Sequence, residues 1–367
     1  MFITATILGT LTLGTILFLR HPGFGKAPSG ERLESIKASP NFRNGKFENL
    51  SHTPNFTEGY TFWQVMYKFF FEKAPRRKPP GSIPSVKTDL RGLPPDEDVL
   101  VWFGHSSYYL QVGGKRMLVD PVFSGNASPL PGTNRSFRGS DRYRPEDMPD
   151  IDYLFLTHDH YDHADYATLV GLKDRCKKIF CGLGVGAHLE HWGFAPGRIT
   201  EHDWHESFSP EPGFSIHTAP ARHFSGRGFQ RNNTLWLSFV LQTRDYNIYL
   251  GGDSGYDRHF RDIGDKHGPF DLAILDNGQY NLMWQAIHML PDEVLKAARD
   301  LRTKKLMPVH SGKFAMAKHP WDEPLQRITE LNRQSEMPVP LVTPIIGEPV
   351  WLRNESQDFR EWWKEVS

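Results

Sequence analysis

The chain has 367 residues, 38% of them hydrophobic and 13% aromatic, which suits one large α/β domain with extensions, or at most two domains, and excludes a disordered chain. Its 43 basic and 43 acidic side chains cancel, and no Lys/Arg-rich run resembles a nucleic-acid site, so that class of partner is set aside. The two cysteines, Cys176 and Cys181, are too few for a disulfide framework and lack Cys-x-x-Cys metal spacing. One is expected near a helix end and the other in a strand.

Residues 1–21 read as a membrane anchor. The run 2–19 carries no charge and no proline, ends at Arg20-His21-Pro22, and is about as short as a spanning helix can be. No small-x-small cleavage pattern follows, which favours an uncleaved anchor over a signal peptide. Arg20, Lys26, Arg32 and Lys37 all follow the run and favour a cytoplasmic main domain. A single short anchor leaves the side of the membrane open. Residues 22–95 form an extension rich in Pro, Gly and basic residues. One helix is expected over 61–73, with aromatic side chains that suit packing on the main domain or contact with lipid or substrate. Pro79-Pro80 marks a linker.

Residues 96–355 carry the regular pattern, and 356–367 form a tail. Strands are expected over 99–103, 108–112 and 116–119, the last two joined by Gly113-Gly114, a hairpin signal. Asp120 ends that hairpin. A strand over 151–156 runs into a segment rich in His and Asp, and a helix over 164–172 follows. The second half repeats this plan. A hairpin over 235–243 and 247–251 leads to Asp253, then come a strand at 272–275, a helix at 291–301 and a strand at 306–309 ending at His310. Two such halves predict two sheets packed face to face with helices outside.

The segment Thr157-His158-Asp159-His160-Tyr161-Asp162-His163 is the strongest chemical signal. At i and i+2 of extended backbone, His158 and His160 project to one side and can share an ion. Where the chain turns into the helix, Asp162 and His163 can face a second ion, while Asp159 and Tyr161 point away. Imidazole and carboxylate suit zinc. Further ligands must come from distant strand ends, and His223, Asp253 and His310 each follow an apolar strand. His105 is expected to serve structure or to support a ligand, and Arg227 is a candidate contact for an anionic headgroup. His188, His191, His202 and His205 are expected near helix or loop surfaces, and His217 as a satisfied strand histidine.

This segment matches the motif T-H-x-H-x-D-H and resembles the metallo-β-lactamase superfamily. With Trp102-Phe103-Gly104-His105-Ser106-Ser107, Leu118-Val119-Asp120-Pro121, Pro220-Ala221-Arg222-His223, Gly252-Asp253-Ser254-Gly255-Tyr256 and Val309-His310, the chain over roughly 80–350 resembles the N-acylphosphatidylethanolamine-hydrolysing phospholipase D branch. The extension is more similar to bacterial members than to animal ones. The resemblance implies an α/β fold, the αββα sandwich of two mixed sheets with outer helices. It implies two Zn²⁺, one held by His158, His160 and His223, the other by Asp162, His163 and His310, with Asp253 between them. Asp253, Asp162 and His288 are the implied catalytic residues, and His288 the implied substrate contact, beside the candidate Arg227 read from the sequence. The surroundings of His288 (Gln285-Ala286-Ile287-His288-Met289) depart from animal members.

The expected reaction is zinc-dependent phosphodiester hydrolysis, in which a pair of metal ions acidifies water and takes up charge on the phosphoryl oxygens. A phospholipid substrate, a membrane reached through residues 1–21 and a homodimer are the expected partners. The alternative is hydrolysis of a lactone or a soluble phosphodiester on the same fold. A membrane-anchored binding protein with a relic metal site is a third reading, and the full ligand set argues against it. The di-iron oxygen reductases that share this fold carry Glu where this chain has His160, and no flavin-binding domain follows here.

Overall fold

The structure is a computed structural model that describes residues 18–130 and 132–367, together with residues 12, 14 and 15. The expected anchor in the run 2–19 therefore falls almost wholly outside the described residues. Among the described residues no helix is long and apolar enough to cross a membrane.

A small hairpin, β1 (Phe42–Arg43) and β2 (Lys46–Phe47), lies in the extension. Seven strands build the first large sheet: β3 (Val99–Trp102), β4 (Tyr108–Val112), β5 (Lys115–Val119), β6 (Ile151–Leu156), β7 (Cys176–Gly182), β8 (Ile199–His202) and β15 (Pro349–Trp351). Their order is β15-β3-β4-β5-β6-β7-β8. Six build the second: β9 (Ser207–Glu211), β10 (Phe214–Ala219), β11 (Ser238–Gln242), β12 (Asn247–Leu250), β13 (Leu272–Asp276) and β14 (Leu306–Val309), in the order β14-β13-β12-β11-β10-β9. In both sheets antiparallel hairpins give way to parallel strands, at β5–β6 in one and β12–β13 in the other. The topological repeat expected from the two halves is thus present.

Strand periodicity assigns each side chain to a layer. Leu100, Trp102, Leu110, Met117 and Phe155 face the second sheet and meet Phe239, Leu241, Leu250 and Ile274 in the central core. Their neighbours Val99, Val101, Tyr109, Leu118 and Leu154 point outward, to be covered by α3 (Tyr166–Leu172) and α4 (Gly186–His191). The outer face of the second sheet is covered by α5 (His259–His267), α6 (Pro291–Asp300) and α7 (Glu323–Gln334). The result is a four-layer αββα sandwich. Burial on both faces explains why these strands read as continuous apolar runs. Gly113 and Gly114, at φ 57° and 74°, close the β4–β5 hairpin in the left-handed conformation a two-residue turn requires.

The extension wraps this body. It contributes α1 (Glu31–Ala38) and α2 (Phe62–Phe71), and its Ile36, Phe47 and Ile83 enter the central core. Arg32 pairs with Glu190 and Glu201, tying α1 to the main sheet. Trp362 and Trp363 of the tail are buried in the same core. One of the two cysteines was expected near a helix end; instead Cys176 opens β7 and Cys181 lies in the same strand, both buried as free thiols.

Candidate metal centre

The expected ligands converge at one end of the sandwich because β3, β5, β6, β10, β12, β13 and β14 all run the same way. Asp120 follows β5, His158 follows β6, His223 lies beyond β10, Asp253 beyond β12, Asp276 ends β13 and His310 follows β14. His105, Asp120 and His310 hold positive φ values of 54°, 41° and 64°. Such backbone costs about 1–3 kcal/mol per residue and persists where the surroundings over-determine it. At the ends of β3, β5 and β14 it turns the chain sharply and presents side chains to one spot. Gly252, just beyond β12, allows a close approach instead, since a Cβ there would lie 2.9 Å from both the Leu237 carbonyl oxygen and Thr157 Cβ.

Among the described residues, three groups of side chains have ligand atoms close enough to hold an ion: His158, His160, His223 and Asp253; His105, Asp162, His163 and His310; and Asp253, His288 and His310. In the first, His160 Nδ1 lies 2.9 Å from His158 Nε2 and 3.2 Å from His223 Nε2. Asp253 stands between the first two groups. Its Oδ2 is 3.8 Å from His158 Nε2, 3.7 Å from His223 Nε2 and 3.2 Å from His163 Nε2, and its Oδ1 is 3.1 Å from His310 Nδ1.

Partners behind the ligands set which ring nitrogen faces inward. His163 Nδ1 donates to Asp120 Oδ2 at 2.8 Å, and His223 Nδ1 to the Ile287 carbonyl at 3.0 Å, so both turn Nε2 inward. His158 Nδ1 meets Thr157 Oγ1 at 3.0 Å, and that hydroxyl donates to Asp120 at 2.6 Å. His310 Nδ1 lies 2.9 Å from Ser106 Oγ, and His105 Nε2 donates to Asp162 Oδ2 at 2.8 Å. His105 thereby orients a carboxylate, as its place in the sequence suggested.

The set fits a cation on the structure's own evidence. Among the described residues, His163 Nε2, His310 Nε2 and Asp253 Oδ1 are buried polar atoms without hydrogen-bond partners, and all three sit on residues of the convergent cluster. Tetrahedral zinc, with bonds of about 2.0–2.1 Å to nitrogen, sets ligand atoms roughly 3.3 Å apart, close to the spacing of the three imidazoles. Burial pushes the pKa values of His158, His223 and His310 well below the usual histidine value, and lowers that of His160. Burial thus favours the neutral imidazole that metal ligation requires. Burial, the largest single influence, would raise Asp162 and Asp253, but His163 and His105 together hold Asp162, and His163, His310 and His288 together hold Asp253, well below the usual carboxylate range. Burial opposes the His163 imidazolium too, yet Asp253, Asp162 and Asp120 raise its pKa. A carboxylate-rich cluster that draws a proton onto a ligand histidine is one that a cation would neutralise in its place.

The centre forms the floor of a cavity of about 680 Å³. His160, Asp162, His223, Asp253, His288 and His310 line it on the polar side, and apolar residues from the extension, including Phe62, Val65, Met66 and Phe69, on the other. His288 lies at this floor with Nδ1 2.9 Å from Asp276 Oδ2. Burial lifts the Asp276 carboxyl to about 6, against the pull of His288. A second cavity, of about 770 Å³, lies against the side of the sandwich where β15 and the tail meet β12 and β13, and has no histidine in its wall.

The structure corrects the expectation for Arg227. Its guanidinium is buried and donates to the carbonyls of Gly23, Asp159 and Ala164, with its face over Tyr161 at 4.1 Å from the ring centroid. Its donors are occupied by backbone, away from the metal cavity. Arg227→Met should therefore cost stability, about 3 kcal/mol or more because three carbonyls lose a charged donor. The urea midpoint reads this directly, and an unchanged midpoint would contradict the assignment. His188 and His202, expected near surfaces, are buried on Asp159 and Glu206. His217 is satisfied by Ser207 and Gln242. Asp120, Thr157, Ser106 and Asp276 were given no role from sequence. The signal for Asp120 was present, since it ends its hairpin as Asp253 ends the second.

Strand-end histidines and carboxylates on an αββα sandwich define a metal-dependent hydrolase. The profile described as "Beta-lactamase superfamily domain" matches residues 115–311, and the chain belongs to the metallo-β-lactamase superfamily. It is 36% identical over 370 residues to an uncharacterized protein of Mycobacterium tuberculosis (strain ATCC 25618 / H37Rv), covering 97% of each chain. It is 31% identical over 270 residues to N-acyl-phosphatidylethanolamine-hydrolyzing phospholipase D 1 of Caenorhabditis elegans, covering 68% of this chain and 74% of that one. Among solved structures, the metallo hydrolase Igni18 of Ignicoccus hospitalis KIN4/I superposes with a TM-score of 0.52 at 20% identity, covering 70% of this chain and 98% of that one.

Proposed function

We propose that the chain is a dinuclear zinc phosphodiesterase of the phospholipase D type, which hydrolyses N-acylphosphatidylethanolamine to N-acylethanolamine and phosphatidic acid. The observation that carries this reading is a polar ligand cluster at the floor of a cavity whose opposite wall is apolar and aromatic. A headgroup diester would sit against the cluster while acyl chains lie along Phe62, Val65, Met66 and Phe69. The similarity to the Caenorhabditis elegans phospholipase D points to the same substrate class. His158, His160 and His223 would hold one ion and Asp162, His163 and His310 the other, with Asp253 shared. Bound zinc supplies Lewis acidity and lowers the pKa of water held in the site.

The chain's own residues do the rest. Asp253 fixes the spacing of the two ligand sets and accepts the proton that water loses. His288 is held by Asp276 through Nδ1, which leaves Nε2 to donate to a phosphoryl oxygen or the departing alcohol. Water oxygen bonds to phosphorus, the P–O bond to the N-acylethanolamine breaks, and that alcohol leaves with a proton. The apolar run at 2–19 would tether the enzyme near its substrate.

Purified protein analysed for metal and assayed on a phospholipid panel, a lactone and a soluble phosphodiester tests this reading. The expected result is about two zinc ions per chain and release of N-acylethanolamine from the N-acylated lipid. Turnover of the lactone or the soluble diester alone, with the lipid left intact, would assign the site to that substrate instead.

A further inference from the structure

Helix α2 departs from the pattern of a surface helix. Its Phe62, Val65, Met66 and Phe69, at the spacing of one helical face, line the metal cavity. Its opposite face carries Trp63, Tyr67, Phe70 and Phe71, of which Trp63 is 78% and Phe71 72% exposed. A helix apolar on both faces belongs in a protein core or in lipid, and here only Val65 is fully buried. The helix is nonetheless well anchored. Thr61 and Gln64 form a capping box, and Lys318 donates to the Lys68 and Glu72 carbonyls at its carboxyl end. The exposed rings thus stand on a fixed support and not on a fraying segment.

The charge around them is equally specific. The whole chain is neutral, yet residues 57–80 hold five basic side chains against two acidic ones. Arg76 and Arg77 are committed to Asp322 and to the carbonyls of Ala315 and Ala317. Lys73 and Lys78 are exposed and carry no ion pair among the described residues. Tryptophan and tyrosine flanked by free lysines is the composition of a surface that seats in the headgroup layer of an anionic bilayer, with rings at the acyl boundary and ammonium groups on lipid phosphates.

The geometry points to α2 as a membrane-docking element: its outer face inserts shallowly into an anionic phospholipid surface while its inner face forms the wall of the catalytic cavity. Docking through this helix sets the cavity wall at the lipid surface, so an amphiphile can pass to the metal centre without crossing water. The inference goes beyond the proposed substrate, because it holds for any amphiphile the site hydrolyses.

The test uses the full chain and a triple variant, Trp63→Ser, Tyr67→Ser and Phe70→Ser, none of which lines the cavity. Flotation with vesicles of equal parts phosphatidylcholine and phosphatidylglycerol should show membrane partition falling about tenfold in the variant, with metal content unchanged. Partition of the parent chain should also weaken with added salt. Because the apolar run at 2–19 could hold both proteins on vesicles, brominated lipid supplies a second readout. Quenching of tryptophan fluorescence should fall in Trp63→Phe relative to the parent chain. Equal quenching in the two would overturn the proposal. So would a triple variant that changes from dimer to monomer while floating as before, since a second copy would then be the occupant of this face.

Discussion

Asp253→Asn is expected to remove most of the bound metal and to lower kcat/KM by on the order of 10³, the loss that follows removal of one preorganised charged group from a site. Asp253 is the one carboxylate within 3.8 Å of His158, His163, His223 and His310. Asparagine keeps the shape but supplies a neutral oxygen on one side and an N–H donor on the other. The donor would point into a set of bare imidazole nitrogens. The negative charge that draws cations to four mostly neutral histidines would fall at the same stroke. Elemental analysis of parent and variant, purified in parallel, reads the metal loss, and turnover on the same samples reads the rate. A variant with full metal content and unchanged turnover would remove Asp253 from the centre. A variant with full metal content but lost turnover would leave it a proton acceptor without a role in holding the ions.

The parts of this centre legible in sequence were those on strands with strong periodicity. His158, His160, Asp162 and His163 follow β6, whose six residues are apolar but for Asp152, so both the strand and its exit could be placed. His310 follows an apolar strand in the same way. The helix over 61–73 was legible as well, and it forms as α2 with its cap at Thr61. Edge strands were not. Strand β9 (sequence SFSPE) contains Pro210 and is half exposed, because an edge needs neither a full ladder nor an apolar face. Helices α5 and α7 bury one face at helical spacing, through Phe260 and Ile263 and through Leu325 and Ile328, but Gly, His, Thr and Asn share that face and dilute its apolar signal in sequence. Arg227 illustrates a different barrier. From sequence it was a candidate contact for an anionic headgroup, but its partners are carbonyls of Gly23, Asp159 and Ala164, brought together only by the fold. A backbone acceptor leaves no mark in the sequence.

Asp120 was legible as the end of a hairpin and still had no role, because its function is exerted through other side chains. Asp120 accepts from the Thr157 amide at 2.9 Å, the Thr157 hydroxyl at 2.6 Å and His163 Nδ1 at 2.8 Å. One carboxylate thus sets the rotamer of His163 directly and that of His158 through Thr157 Oγ1. Asp120→Asn should invert this arrangement. The amide oxygen can keep the Thr157 amide, but the amide nitrogen then faces His163 Nδ1, which must accept. The His163 proton moves to Nε2, the nitrogen that should be bare for a metal. Affinity for one ion should fall about 10–100-fold, the usual cost of losing a partner that orients a ligand histidine. Excess zinc should restore much of the turnover, because the ligands themselves remain. Metal titration against a chromophoric chelator, followed by kcat at saturating zinc, separates the two effects. If zinc affinity is unchanged, Asp120 serves the backbone of Thr157 alone; if saturating zinc restores nothing, the carboxylate has a part in the chemistry itself.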